Sequence, residues 1–83
     1  MSVAQKGDFI TLRKMSNLIG NSYMRVIPHE EGTIVVDIAE DIFYVVRNTG
    51  KIDVNNTAIY EVVMVGLLGR LIELLMAKKL EGL

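Results

Sequence analysis

Hydrophobic side chains recur at helical spacing near the start of the chain. Between residues 8 and 26, apolar positions follow steps of three and four, and polar side chains fill the opposite face. This pattern predicts an amphipathic helix over residues 8–26. Gly20 is its weak point, because glycine costs about 1 kcal/mol against alanine inside a helix. A helix that stops there leaves residues 22–27 extended, and Pro28 ends it in either case.

The middle of the chain also separates polar from apolar positions as an amphipathic helix does. At about 100° per residue, the polar side chains between Ile34 and Asn48 fall within an arc of about 120°. Pro28 suits the first position of a helix, so we predict a second helix over residues 28–48. Many of the same residues are β-branched and favour strands. The alternative is an antiparallel meander with strands near 22–27, 33–38, 42–47 and 51–54.

The last third of the chain predicts a helix without a polar face. Asn55 or Asn56 is placed to cap it, and we expect it over residues 57–80. Through most of its length only Arg70 and Glu73 are charged. A helix that is apolar all round is buried all round, and two amphipathic helices offer only one stripe each. Another chain is therefore expected to supply the missing cover.

These segments predict a single small domain over residues 1–83, an all-α, three-helix protomer that completes its core by homo-oligomerisation. The alternative is an α+β fold, with a four-stranded antiparallel meander between an N-terminal helix and a long C-terminal helix. Apolar residues make up 51% of the 83-residue chain, and so short a chain has little interior in which to bury them. The predicted oligomer interface consists of Leu12, Met15, Ile19, Val62, Val65, Leu68, Leu71, Ile72 and Leu75.

Charge is distributed unevenly along the chain. Residues 1–27 carry four basic side chains against one acidic, a net charge of +3, whereas residues 28–48 carry one basic against five acidic, a net charge of −4. Segments of opposite sign can pair within a chain or between chains. Arg13, Lys14 and Arg25 form a modest basic set, so a small dimeric nucleic-acid-binding protein is the alternative function. A protein that wraps nucleic acid usually has a larger positive excess.

No arrangement of residues points to catalysis, a metal or a cofactor. The absence of cysteine excludes disulfides, thiolate metal sites and thiol nucleophiles. His29 is the only histidine and precedes two glutamates, an arrangement typical of a solvated helix start. Asp37, Glu40 and Asp41 share a face of the predicted helix, where they would hold a divalent cation only with help from another chain. We therefore predict a non-enzymatic assembly or interaction module without catalytic residues, metal or cofactor.

The apolar stretch over residues 58–77 is long enough to span a membrane. It contains Glu61, Arg70 and Glu73, and a charge near the bilayer centre costs at least about 2.5 kcal/mol on insertion scales. We therefore expect no membrane span. Because no basic and apolar leader opens the chain, the expected location is the cytoplasm. The expected partner is another copy in a dimer or tetramer, or another protein at the C-terminal helix, with nucleic acid less favoured.

A stretch in the middle of the chain resembles histone-fold proteins. The sequence RNTGK at 47–51, followed by IDV at 52–54, is similar to the junction between the middle and last helices of that family. Arg25-Val26 is similar to the family's earlier loop. The predicted middle helix is shorter and the last longer than in the family, and the strong basicity of its DNA-wrapping members is missing. The resemblance covers residues 25–59 and implies intimate helical dimerisation rather than DNA compaction.

Overall fold

The chain forms an antiparallel β-sheet with a helix packed against each face. The computed structural model describes residues 2–30 and 32–81, with side chains up to residue 76. Across the sheet, the strands within these ranges lie in the order β1-β5-β4-β3-β2, and all neighbours are antiparallel. Along the chain the elements are β1 (Phe9–Ile10), α1 (Leu12–Ile19), β2 (Met24–His29), β3 (Gly32–Asp37), β4 (Ile42–Ile52), β5 (Ala58–Leu67) and α2 (Leu68–Glu81).

The prediction of an all-α, three-helix protomer is wrong. The helix predicted over residues 28–48 is replaced by the end of β2, by β3 and by most of β4. Both faces of β3 and of the first half of β4 are covered, so their apolar residues form continuous runs without the alternation that marks a half-exposed strand. The polar side chains that gave the helical arc are concentrated in the β3–β4 turn and in the distal half of β4. The spacing of these polar residues along the chain therefore matched the spacing expected for one face of a helix.

The helix predicted over residues 57–80 is wrong in its first half. Residues 58–67 form β5, which lies in the sheet between β1 and β4. The proposed asparagine cap is instead part of the β4–β5 turn, where Asn56 has a positive φ of 62°. β5 lacks a polar face because neighbouring residues pack on opposite sides of the sheet. Val62 belongs to the buried cluster on the side of α1, and Val63 packs against the buried cluster on the side of α2. Cover from both sides comes from its own chain.

The α+β alternative differs from the structure in its fourth strand and in its long C-terminal helix, whose first half is β5. Its first three strands overlap β2, β3 and β4, but its fourth, at 51–54, is the end of β4 and the turn that follows. The histone-like stretch at 47–54 occupies the same region. Arg47 forms a cross-strand ion pair with Glu61 there, so the junction between helices that the resemblance implies is absent from this region.

The first helix is shorter than its prediction of 8–26. α1 begins after Thr11, whose hydroxyl accepts the backbone N–H of Lys14 at 3.1 Å, an N-cap. It ends at Gly20, where φ is 99° and the N–H donates to the carbonyl of Ser16 at 2.8 Å. The possibility that the helix stops at Gly20, with an extended segment after it, is therefore the correct one, since β2 begins at Met24.

The core has two parts, one on each face of the sheet. The part under α1 is centred on Met15 and is closed by the N-terminal segment, whose Val3 N–H donates to the hydroxyl of Tyr44 at 2.9 Å. The part under α2 is centred on Phe43 and Leu71. A register shift between Val45 and Val46 interrupts the pairing of β4 with β5. Val62 and Val63 serve opposite faces because successive side chains of a strand point to opposite sides of the sheet.

Candidate interaction surface

α2 follows β5 without a connecting loop and folds back on the sheet. Its first N–H, from Leu68, donates to the carbonyl of Asp41 at 2.9 Å, so the β3–β4 turn satisfies one helix N-terminal donor. Leu71 is buried against Phe43 and its neighbours, and Leu74 and Leu75 pack at the margin of the same core. These positions recur at helical spacing and form the inward face of α2.

The outward face of α2 is also apolar. Ile72 is 67% exposed and Met76 is 51% exposed, and their spacing of four residues places them on one side of the helix. Leu67, the residue before the helix, is 63% exposed. Gly69 has no atom within 4 Å of the position that a Cβ would occupy. We call the set Gly69, Ile72 and Met76 the outer stripe of α2.

The exposed surface of α2 also carries one charge of each sign. Arg70 and Glu73 are exposed, and their spacing of three residues places them next to each other on the helix surface. Within the part of the chain that the structure describes, neither side chain forms a salt bridge. Glu73 therefore borders the apolar outer stripe, and Arg70 lies beside Glu73 on the side away from Ile72.

The residues predicted to form the oligomer interface are separated by the fold. Met15, Val62 and Leu71 are buried inside the protomer, and only Ile72 is exposed. The other predicted interface residues are partly buried: Leu12, Ile19, Val65, Leu68 and Leu75. Leu67 and Met76 were missed by the sequence reasoning. A second stripe at positions 69, 72 and 76, offset from the inward stripe, was the signal that could have found Met76, whereas no helical spacing points to Leu67, which ends β5.

The three basic residues of the nucleic-acid alternative do not lie together. Arg13 and Lys14 line an open cleft of about 380 Å³ beside α1, together with the carboxylate-bearing Asp53. Arg25 lies on β2, at the other end of the sheet, where it pairs with Val36 of the core under α2. Paired residues share a face, so Arg25 is on the face opposite α1. Its guanidinium donates to the carbonyl oxygens of residues 22 and 24.

The acidic residues noted in the sequence have a local structural role. Asp37 is buried, and its Oδ1 accepts the N–H of Glu40 at 3.1 Å, which stabilises the β3–β4 turn. His29 pairs with Gly32 at the β2–β3 turn, away from Asp37 at the far end of β3. Among the residues that the structure describes, no group of three or more metal-ligating side chains comes together. The same residues include no helix with the length and hydropathy to cross a bilayer.

No protein-family model matches this chain, and neither the curated proteins nor the solved structures include a significant match. Its function is therefore inferred from its own surface. Among the surfaces described above, the outer stripe combines clustered apolar side chains with adjacent unpaired charges. Clustered apolar exposure marks a contact surface more often than isolated exposure does. The outer stripe of α2 is the candidate functional site.

Proposed function

We propose that this protein is a non-enzymatic assembly module that acts as a homo-oligomer. The supporting observation is the outer stripe of α2, where Ile72 and Met76 are exposed on one side of the helix. Burial of apolar surface stabilises an association by roughly 25 cal/mol per Å². Covering this stripe with another chain removes two large apolar side chains from water.

The interface in this proposal is smaller than the one predicted from sequence. The predicted interface had to cover a whole apolar helix, but the chain itself covers Val62 and Val63 of β5 and the inward face of α2. The outer stripe supports one two-fold contact between copies. A dimer is therefore the proposed stoichiometry rather than a tetramer.

Sedimentation velocity of the full chain across micromolar concentrations tests the proposal. We expect a reversible dimer, because one stripe buries limited area and interface size sets only a modest affinity range. A chain that sediments as a monomer throughout that range contradicts the proposal. Ile72→Asp should shift the population to monomer, since it places a charge within the outer stripe. The matched control is Val54→Asp, at a fully exposed apolar position in the β4–β5 turn, which should leave association unchanged.

Nucleic-acid binding is the alternative function, and no contact among the residues that the structure describes favours it. It requires salt-sensitive binding that weakens when Arg13 and Lys14 are replaced by alanine. Retardation of DNA or RNA in a gel at low salt, lost in that double variant, would support the alternative over the assembly module. A cytoplasmic location completes the proposal and is tested by fractionation of cells that produce the full chain.

A further inference from the structure

The two outer edges of the sheet differ in how their backbone groups are satisfied. An edge strand presents a row of N–H and C=O groups that can pair with another chain, and proteins commonly block such edges. β2 forms one edge of this sheet. At the other edge, β1 covers only part of β5, because β1 has two residues and β5 has ten. The remainder of β5 is a surface separate from the outer stripe of α2.

The edge formed by β2 is largely blocked by its own residues. The Tyr23 carbonyl accepts an N–H on the β3 side at 2.9 Å, so the backbone groups of residues 24, 26 and 28 point outward. The N–H of Met24 donates within the preceding turn, and its carbonyl accepts the guanidinium of Arg25 at 2.8 Å. Pro28 has no N–H to donate. Within the described part of β2, this leaves Val26 with both an outward donor and an outward acceptor.

The edge formed by the last residues of β5 is not blocked. Val62 is the last residue bonded on the β1 side, where its N–H and C=O each form a hydrogen bond of 2.8 Å. The Leu68 N–H donates toward β4, so the N–H and C=O of Val65 and the N–H of Leu67 point away from β4. No hydrogen bond to these three groups is formed by any residue that the structure describes. We call residues 63–67 the open edge of β5.

A groove of about 380 Å³ runs along the open edge. One wall is β5 and the other is the N-terminal segment, and the lining residues are Ser2, Ala4, Gln5, Lys6, Val63, Met64 and Val65. Val63 packs on the α2 side of the sheet and Val65 on the α1 side, so a groove that touches both lies at the edge of the sheet. Lys6 is the charged residue of this lining, and within the described ranges it has no ion-pair partner.

We propose that the open edge of β5 binds an extended, acidic peptide segment of a partner protein, which adds a strand to the sheet. Extended peptides bind sheet edges through main-chain hydrogen bonds, and neighbouring pockets select their side chains. Val65 and Leu67 supply the main-chain groups. The apolar side chains of the groove accept an apolar residue of the segment, and Lys6 complements a carboxylate beside it.

A second copy of this chain fits the open edge less well. Pairing of β5 with itself about a two-fold axis brings together two grooves, each with Lys6 and without an acidic residue in its lining. Like charges brought together across an interface oppose association. A helix cannot use the free backbone groups, because its own are bonded internally. The backbone groups therefore require an extended segment, and the charge of the groove favours an acidic one.

Peptide selection tests the site and the chemistry of its occupant. Binders selected against the full chain from a random heptapeptide library should be rich in aspartate and glutamate. They should shift the NMR amide resonances of Val65 and Leu67. Selection without binders, or binders that shift only resonances elsewhere, would overturn the proposal.

N-methylation of a selected peptide distinguishes strand addition from binding by side chains alone. In an extended peptide, alternate amides face the neighbouring strand. Of two forms methylated at odd or at even positions, the form whose methyl groups face β5 should bind roughly tenfold or more weakly, since its donors are removed. The other form should keep its affinity. Equal affinities of the two forms would contradict main-chain pairing.

Reversal of the groove charge tests the preference for an acidic segment. Lys6→Glu should weaken binding of the selected peptide by roughly fivefold, whereas Lys51→Glu, an exposed reversal on β4, should leave it unchanged. Equal affinities for the wild type and Lys6→Glu would overturn the acidic preference. Because the open edge and the outer stripe are separate surfaces, failure of peptide binding leaves the proposed homo-oligomer standing, and a monomeric wild type leaves the open edge standing.

Discussion

Gly66 stands opposite Phe43 in the pairing of β4 with β5, and the aromatic ring occupies the space of a larger side chain. A Cβ at residue 66 would lie 2.7 Å from Cε1 and 2.9 Å from Cζ of that ring. Gly69, three residues later, has open space at the same position. The sequence shows two similar glycines in an apolar stretch, but only the first is required by packing.

Gly66→Ala should therefore lower the free energy of unfolding by about 1–3 kcal/mol, the usual cost of overpacking a core. Gly69→Ala is the matched control, and it should be neutral or stabilising by up to about 1 kcal/mol, since alanine is the better helix former. Urea unfolding monitored by circular dichroism measures both. Equal destabilisation by the two substitutions would contradict the packing explanation.

The hydroxyl of Tyr44 anchors the N-terminal segment from inside the core. It accepts the N–H of Val3 at 2.9 Å. Burial raises the pKa of this phenol above its ordinary value of 10.0, and the charge of Asp37 acts in the same direction, against the lowering effect of backbone hydrogen bonds. Between the unfolded and folded pKa values, the unfolded chain holds fewer protons, so stability falls as pH rises. The contribution of Tyr44 is complete below pH 10 and is lost above it.

Tyr44→Phe should cost about 1–2 kcal/mol at neutral pH, because the N–H of Val3 loses its partner. The same variant should lose less stability than the wild type when the pH is raised above 10, since no buried phenol remains to ionise. Unfolding free energies on both sides of pH 10 give the comparison. Tyr23→Phe, at a half-exposed tyrosine, should retain the alkaline response of the wild type, and an unchanged response in Tyr44→Phe would disprove the assignment.

The β4–β5 turn is an element organised by one carboxylate. Oδ1 of Asp53 accepts the N–H groups of Asn55 and Thr57, both at 2.9 Å, and the Asp53 N–H donates to the carbonyl of Thr57 at 2.9 Å. This pattern stabilises a turn rather than a helix start. The asparagine pair suggested a cap because turns and helix N-termini use the same short polar side chains.

Asp53→Ala should lower the unfolding free energy by about 1–2 kcal/mol, because two N–H groups lose their acceptor. Asp53→Asn should retain most of the stability, since the amide oxygen can accept the same bonds. Thermal unfolding of both variants tests this, with Val54→Ala as a control at a fully exposed position of the same turn. Equal melting temperatures for the wild type and Asp53→Ala would refute this role.

At the scale of the whole molecule, association and stability should be linked. A contact made only by folded copies stabilises them by mass action, so the melting temperature of the wild type should rise with protein concentration. In Ile72→Asp this dependence should disappear. Differential scanning calorimetry at several concentrations measures the effect. A melting temperature of the wild type that does not change with concentration would count against the dimer.

Some features of the fold followed from neighbouring residues alone. The end of α1 at Gly20 was one of the two options that the sequence allowed. It depends on the positive φ of Gly20 and on the hydrogen bond from its N–H to the carbonyl of Ser16. The start of α1 is equally local, because Thr11 caps it through a residue three positions later. Such interactions act over a few residues, so their signals are present in the sequence.

Contacts between distant parts of the chain make residues 58–67 a strand and determine which side of α2 is exposed. β5 is a strand because it pairs with β4 and β1, and its faces are apolar because separate helices cover them. The inward and outward faces of α2 are defined by where β5 ends, at Leu67, and by the sheet against which the helix packs. The amino-acid sequence shows that this region is rich in apolar side chains. Which of them are buried depended on partners distant along the chain, which a local pattern does not record.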